Sequence, residues 1–285
     1  MKYIGIQEQI RSNNIKTIVL MLLFPILVSV LAMFMMRNVG GFVLGLIGCG
    51  IWFIIAYFSH TSMIANATGA YPTTRTENPR VYNLLENLCI AQGMPMPQLH
   101  IIEDDSLNAF ASGINQATYT ITLSRGIIEK LDDDELEGVL AHELTHIVNK
   151  DVRLLIVSIV FVGIISFLAQ VLMRNFRRKD GVLMVVLSIV LGIVAGILAQ
   201  IVQLAISRKR EYMADAGAAE MTKKPYALAA ALRKIAQDPY IESVERKDIA
   251  QLFMHNPSET RFAIADLFST HPPIDKRIEL LEQYV

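Results

Sequence analysis

Four long runs without a single charge limit what this chain can fold into: Ile18–Met36, Val39–Phe58, Leu154–Met173 and Val182–Ile206. Each holds 19 to 25 residues, enough for a helix to cross a hydrocarbon core of about 30 Å at about 1.5 Å per residue. Core helices of soluble proteins seldom run so far uncharged. The runs raise the apolar share to 53% and hold the charged share to 19%, below the usual quarter. A membrane protein is the expected class. The first run is too long for the apolar part of a cleaved signal peptide. No small-x-small cleavage site closes it, and a second run follows after only Arg37 and Asn38. A formal net charge of −1 with no long basic run argues against a nucleic-acid partner. The two cysteines, Cys49 within a run and Cys89 outside it, are not expected to pair, which suits a reducing compartment.

The runs divide the chain into an N-terminal membrane hairpin of two spans (residues 1–60) and a first catalytic part (61–151). A second hydrophobic hairpin, expected to be membrane-embedded (152–206), and a second catalytic part (207–285) follow. In the first catalytic part, Pro79 opens a helical pattern that Gly93 and Pro95 stop. Leu99–Ile102 and Ala117–Leu123 read as strands, and Asn108–Gly113 as a turn or short edge strand. Asp132 is a good N-cap, Glu135 three residues on completes a capping box, and Leu131 with Leu136 can staple it. The apolar set Leu136, Val139, Leu140, Leu144, Ile147 then carries one helix through His142-Glu143-Leu144-Thr145-His146.

That pentapeptide carries the chemistry. Histidines at i and i+4 lie on one helix face and reach one tetrahedral metal. The glutamate at i+1 is rotated about 100° round the helix, off the metal but beside water held there, where a carboxylate can act as general base. A third ligand is required, and Glu211 is the leading candidate. An antiparallel hairpin from about Val152 to Ile206 would bring Glu211 back beside His146. Asp215, one turn on, can accept a hydrogen bond from a ligand imidazole. If the first helix ran on, Leu154 would lie about 12 Å past His146, and the metal near the membrane surface.

His142-Glu143-Leu144-Thr145-His146, then Asn149 and Asp151, and Arg210-Glu211-Tyr212-Met213-Ala214-Asp215 after a hydrophobic hairpin resemble the HtpX family of membrane zinc proteases. With the Asn108–Gly113 segment and a late His271-Pro272-Pro273, the resemblance covers nearly the whole chain. The wider group includes the CAAX prenyl proteases, which are longer with more spans, so this compact chain resembles the HtpX branch better. The resemblance implies a mainly α integral membrane protein whose α+β catalytic domain is zincin-like, of the gluzincin kind, beside four membrane helices. It implies one Zn2+ per chain on His142, His146 and Glu211, with Glu143 as general base. Asp215 and Asn149 would support the ligands, and His271 and Arg277 would stabilise the oxyanion. Asn108, Ala109, Phe110 and Ala111 would bind an extended substrate backbone.

Protein substrates in or near the bilayer, and a quality-control role, are the expectation. Lys2, Arg11 and Lys16 precede the first run against Arg37 alone in its turn, which sets the N-terminus and active site on the cytoplasmic side of the inner membrane. The turn and base of the second hairpin carry nearly equal basic charge and fix no orientation. Two other readings compete: a client-binding scaffold that does not cut, and a four-helix transporter with an incidental histidine motif. The absence of charge within the runs argues against the second. The presence of Glu143 argues against the first.

Overall fold

The computed structural model describes residues 6–36, 38–157, 208–237 and 272–284. The run Val182–Ile206, most of Leu154–Met173, and His271 lie outside the described residues. The chain forms two compact units.

One unit holds Arg11–Ser59 together with the stretch that begins at Leu154. Its described core is a pair of long helices, α1 (Ile6–Met36) and α2 (Val39–Thr68), of which α2 runs on into the second unit. Both helices have stretches long and apolar enough to cross a membrane, Ile10–Val30 and Val39–Thr68. Their surfaces agree with lipid as the solvent. Among the described residues, the exposed large hydrophobic side chains other than Tyr71, Ile90, Tyr226 and Tyr284 all lie on these helices. Small residues let the two backbones approach. A Cβ added to Gly45 would stand 2.6 Å from Ser29 Cα, and one at Gly41 2.4 Å from the Ala32 carbonyl. The Asn38 side chain accepts a hydrogen bond from the Gly41 N–H at 3.0 Å and closes the turn.

The other unit comprises His60–Arg153 and the chain from Ile206 on. After β1 (Tyr71–Pro72) comes α3 (Pro79–Gln92), opened by proline at its first position and closed by Gly93 at φ 63°. A four-stranded sheet in the order β1-β2-β4-β3 is completed by β2 (Gln98–Ile102), β3 (Ala109–Ser112) and β4 (Thr120–Ser124). β2 and β4 pair in parallel; β1 with β2 and β3 with β4 are antiparallel. The fourth strand starts later than its alternating pattern suggests. Residues 117–119 belong to a turn in which the Asn115 side chain accepts from the Ala117 N–H and the Asn115 carbonyl from the Thr118 N–H. The Asn108–Gly113 segment is an edge strand.

Leu99, Ile101, Ile121, Leu123, Ala109 and Ala111 share one face of the sheet by register and alternation. After the short helix α4 (Arg125–Lys130) comes α5 (Asp133–Val148), which packs against β3, β4 and α3. Its capping box is complete. Asp132 Oδ1 accepts from the Glu135 N–H, and Glu135 Oε2 accepts from the Asp132 N–H, both at 2.9 Å. Leu136, Leu140 and Leu144 are wholly buried. Asn149 and Lys150 break the helix, Lys150 at φ 59°, and a new helical stretch covers residues 151–157. The axis therefore does not run straight on from His146 to Leu154.

The remaining described elements are α6 (Arg208–Thr222), α7 (Pro225–Ile235) and α8 (Ile274–Glu282). α6 and α7 pack on α5, and α8 packs on α7 and α6. One glycine fixes how closely α6 crosses α5. A Cβ on Gly217 would stand 2.5 Å from Thr145 Cγ2 and 2.8 Å from its Oγ1. Thr145 cannot simply turn away, because its hydroxyl donates to the Ala141 carbonyl at 2.8 Å. Gly217→Ala should cost roughly 1–3 kcal/mol, as overpacking does. Thermal unfolding of the apo chain in detergent should show the loss, and Thr145→Ala in the same chain should recover part of it.

Candidate metal centre and active site

His142 and His146 are one turn apart on α5, with ring centroids 4.8 Å apart and ring planes nearly perpendicular. Their Nε2 atoms converge at 3.2 Å. From α6, Glu211 brings Oε1 to 3.5 Å of His146 Nε2 and Oε2 to 3.6 Å of His142 Nε2. Donors on a tetrahedral ion, at about 2.0–2.2 Å from it, stand about 3.3–3.6 Å from one another. The two nitrogen–oxygen separations fall in that range, one to each Glu211 oxygen, and the nitrogen–nitrogen separation lies just below it. Two imidazole nitrogens and one carboxylate are also the donor chemistry of a catalytic zinc site. This is the one such group of metal-capable side chains among the described residues.

With Nε2 directed to the centre, each imidazole offers Nδ1 to a carboxylate. His142 Nδ1 lies 3.0 Å from Asp215 Oδ1, and His146 Nδ1 3.1 Å from Asp151 Oδ2. Sequence reasoning anticipated the first of these and assigned the second no role. Its signal was present as an aspartate five residues after His146, but a straight helix would have turned it away. Asn149, expected to support a ligand, is buried and terminates α5.

Arg277, on α8, is 1% exposed. It donates from Nε and Nη2 to the two oxygens of Asp215 at 2.9 and 2.7 Å, and its Nη1 lies 3.5 Å from Glu211 Oε2. Two faces of its guanidinium are thus committed to carboxylates of the centre. The oxyanion contact expected of it has to compete with these partners.

Glu143, a quarter-turn from its neighbours, faces the sheet and is buried. In the antiparallel β3–β4 pair, Asn108 accepts from the Ser124 N–H. Alternation therefore leaves the amides of Ala109 and Ala111 turned to the outer edge. The Asn108 side chain accepts from the Ala109 N–H at 2.9 Å, and the Ala111 amide lies on the Glu143 side of the strand, where it offsets part of the effect of burial on that carboxyl. The edge strand thus packs against the helix that carries Glu143 and the two histidines.

Charge within the centre is tightly coupled. Burial alone would lower the His142 pKa, but hydrogen bonds to Asp215 and Glu211 outweigh it and bring it up to about 9. For His146, burial is likewise outweighed by the charge of Glu211 and the bond to Asp151, and the pKa rises. Burial raises Glu143, and the like charge of Glu211 adds to it. Asp215 goes the other way. Burial would raise it, yet Arg277 and His142 hold it below the usual carboxylate range.

Two histidines and a glutamate around one point, with a second glutamate alongside, define a class of site: that of a metal-dependent hydrolase. Residues 75–285 match peptidase family M48. Over all of both chains, the sequence is 52% identical to a protease HtpX homolog of Bacteroides fragilis. It is 38% identical to one of Dictyoglomus turgidum, across 99% of this chain and 95% of that one. A third, from Lactobacillus helveticus, is 33% identical, across 97% and 99%. The fold resembles the crystal structure of S. mikatae Ste24p, with TM-score 0.56 and 18% identity, across 96% of this chain and 67% of that one. The chain belongs to peptidase family M48, on its HtpX branch, and it is a membrane protein.

Removing the partner of a buried charge is costly, about 3–5 kcal/mol. Arg277→Met, which strands Asp215, should lower the unfolding midpoint of the apo chain accordingly. The double variant Arg277→Met/Asp215→Leu should regain most of the loss. A single variant as stable as the wild type would show that the pair carries no such load.

Proposed function

We propose that the chain is a zinc endopeptidase of the cytoplasmic membrane, a gluzincin-like enzyme that hydrolyses membrane or membrane-proximal proteins, misfolded ones among them. The observation that carries this reading is the convergence of His142, His146 and Glu211 beside a buried Glu143, on a helix packed against an edge strand. One Zn2+ per chain would be held by His142 Nε2, His146 Nε2 and the Glu211 carboxylate. When bound, zinc polarises the scissile carbonyl and makes water nucleophilic near neutral pH.

The chain's own residues do the rest. Glu143 takes the proton of the attacking water and returns it to the leaving amine. A carboxyl raised by burial suits both halves of that task. Asp215, steadied by Arg277, keeps His142 in the Nδ1–H tautomer with Nε2 turned to the metal. Asn149 would steady the end of α5 behind His146. His271, six residues ahead of Arg277, would donate to the oxyanion, with Arg277 lending positive charge behind it. The outward carbonyls of Ala109 and Ala111 would pair with an extended substrate backbone, with Asn108 and Phe110 flanking that register. Main-chain pairing reads little side-chain identity, which suits a quality-control protease. The excess of Lys2, Arg11 and Lys16 over Arg37 supports a multi-pass topology with the active site in the cytoplasm.

Two variants test the reading. Glu143→Gln should bind zinc as the wild type does and lose cleavage of a detergent-solubilised membrane substrate by about 10²–10⁴-fold, the usual worth of a general base. Glu211→Ala should lose the metal itself. Metal content and peptide release, measured on the same samples with a chelator control, separate the two. An active Glu143→Gln protein would overturn the mechanism.

A further inference from the structure

We propose that Asp151 and Arg210 form a second positioning pair for the metal centre, which orients His146 and ties it to the helix of the third ligand. The proposal rests on the metal reading above and extends it to two residues outside the ligand set. Asp151 sets Oδ2 3.1 Å from His146 Nδ1, and its Oδ1 lies 3.5 Å from Arg210 Nη1. All three groups are enclosed: the side chains of Asp151 and Arg210 are 7% and 3% exposed, that of His146 14%. The arrangement repeats the one at the other histidine, where Arg277 holds Asp215 and Asp215 holds His142. Each ligand imidazole therefore meets a carboxylate through Nδ1, and each carboxylate meets a buried guanidinium.

Backbone geometry at the end of α5 serves this contact. On an unbroken helix, a residue five positions on sits about 140° round and about 7.5 Å along, out of reach of the imidazole. The chain instead breaks at Asn149 and Lys150, with Lys150 in the left-handed region at φ 59°. The Asp151 carboxylate then faces back onto His146. A non-glycine residue held there costs free energy, and such a cost marks a position worth explaining by function.

Stability alone is a poor reason for this pair. A buried ion pair usually gives up more in lost hydration than it regains from attraction, and apolar replacements often do as well. What an apolar pair could not do is fix the His146 tautomer and bind to the residue next to Glu211. Because Arg210 precedes Glu211 directly, its grip on Asp151 couples the second and third ligands across the chain segment between them. Restraint of this kind on a ligand imidazole is worth about 10–100-fold in metal affinity.

Full-length apo protein in detergent, titrated with Zn2+ against a chromophoric chelator, tests the proposal. Asp151→Ala should weaken zinc binding about 10–100-fold, and Arg210→Met should weaken it by a smaller factor. Arg210→Met should add nothing in the Asp151→Ala background, because it acts through Asp151. Arg210→Lys, which keeps the charge, should recover part of the affinity. The visible spectrum of the Co2+-loaded Asp151→Ala protein should shift, since it reports ligand geometry rather than fold. If Asp151→Ala does not fold, Asp151→Asn, alone and with Arg210→Met, answers the same question. Asn keeps an acceptor for His146 but loses the ionic grip on Arg210, so Arg210→Met should again add nothing. Unchanged affinity in Asp151→Ala, or losses that simply add, would overturn the pairing. A wild type that binds no zinc would overturn the metal reading instead.

Discussion

The centre of this molecule is a problem of buried charge, and the rest of the structure answers it. Glu143, Asp151, Glu211 and Asp215 lie within a few ångströms of two histidines, each no more than 6% exposed. Against these four carboxylates stand two buried guanidiniums, Arg210 and Arg277. With both imidazoles neutral, the formal deficit is two positive charges. One divalent cation closes it. Without the cation, protons are drawn to the same place: against burial, the neighbouring carboxylates raise His142 and His146, while burial itself raises Glu143. The donor geometry and the charge balance are independent arguments for the same ion. The transporter reading with incidental histidines explains neither, since incidental histidines would not gather four buried acids.

Holding such a cluster takes a frame that does not yield. α5 is anchored at its start by a complete capping box, and Lys234 on α7 donates to the Glu135 of that box at 2.6 Å. Its apolar residues pack against the sheet on one side and α6 and α7 on others. Gly217 lets α6 cross against Thr145, a residue of the His142–His146 pentapeptide itself. Because the crossing is that close, Glu211 one and a half turns earlier on α6 can reach a point between the two Nε2 atoms. Packing and coordination are thus one constraint. A bulkier residue at the crossing would move the third donor by more than the few tenths of an ångström that metal geometry allows.

What could be read from the sequence was mostly what is encoded locally. Asp132, Glu135, Pro79 and Gly93 declared two helices because caps and breakers act within one turn of themselves. The i, i+4 spacing of His142 and His146 carried its meaning for the same reason. Glu211 was reachable by a chain argument: a hairpin must return to where it began, and the glutamate does arrive 3.5 Å from His146. Asp151 escaped because that argument took the helix to continue, and a left-handed Lys150 has no sequence signature. Arg277 was seen, but its commitment to Asp215 is a contact across 62 residues that no local pattern encodes. The strand expected at Ala117 starts at Thr120 because alternation cannot see the side-chain bond by which Asn115 holds a turn. Strand order is equally silent, since β3 joins the sheet beyond β4 through pairing alone.

The order of the chain adds a further consequence. His142, Glu143 and His146 come before the last two apolar runs, Glu211 and Asp215 after them, and Arg277 near the end. The first segment can build α5 and its cap on local signals. It cannot neutralise the carboxylates it buries, because both guanidiniums arrive later. A centre short of Arg210 and Arg277 would hold Glu143 and Asp151 without their cationic neighbours, which a closed apolar interior does not tolerate. Closure of the centre therefore waits until the chain beyond the last apolar run has been made. Assembly of the centre thus follows the order of the chain by electrostatics, complete only once Arg210, Glu211, Asp215 and Arg277 have joined the residues of α5.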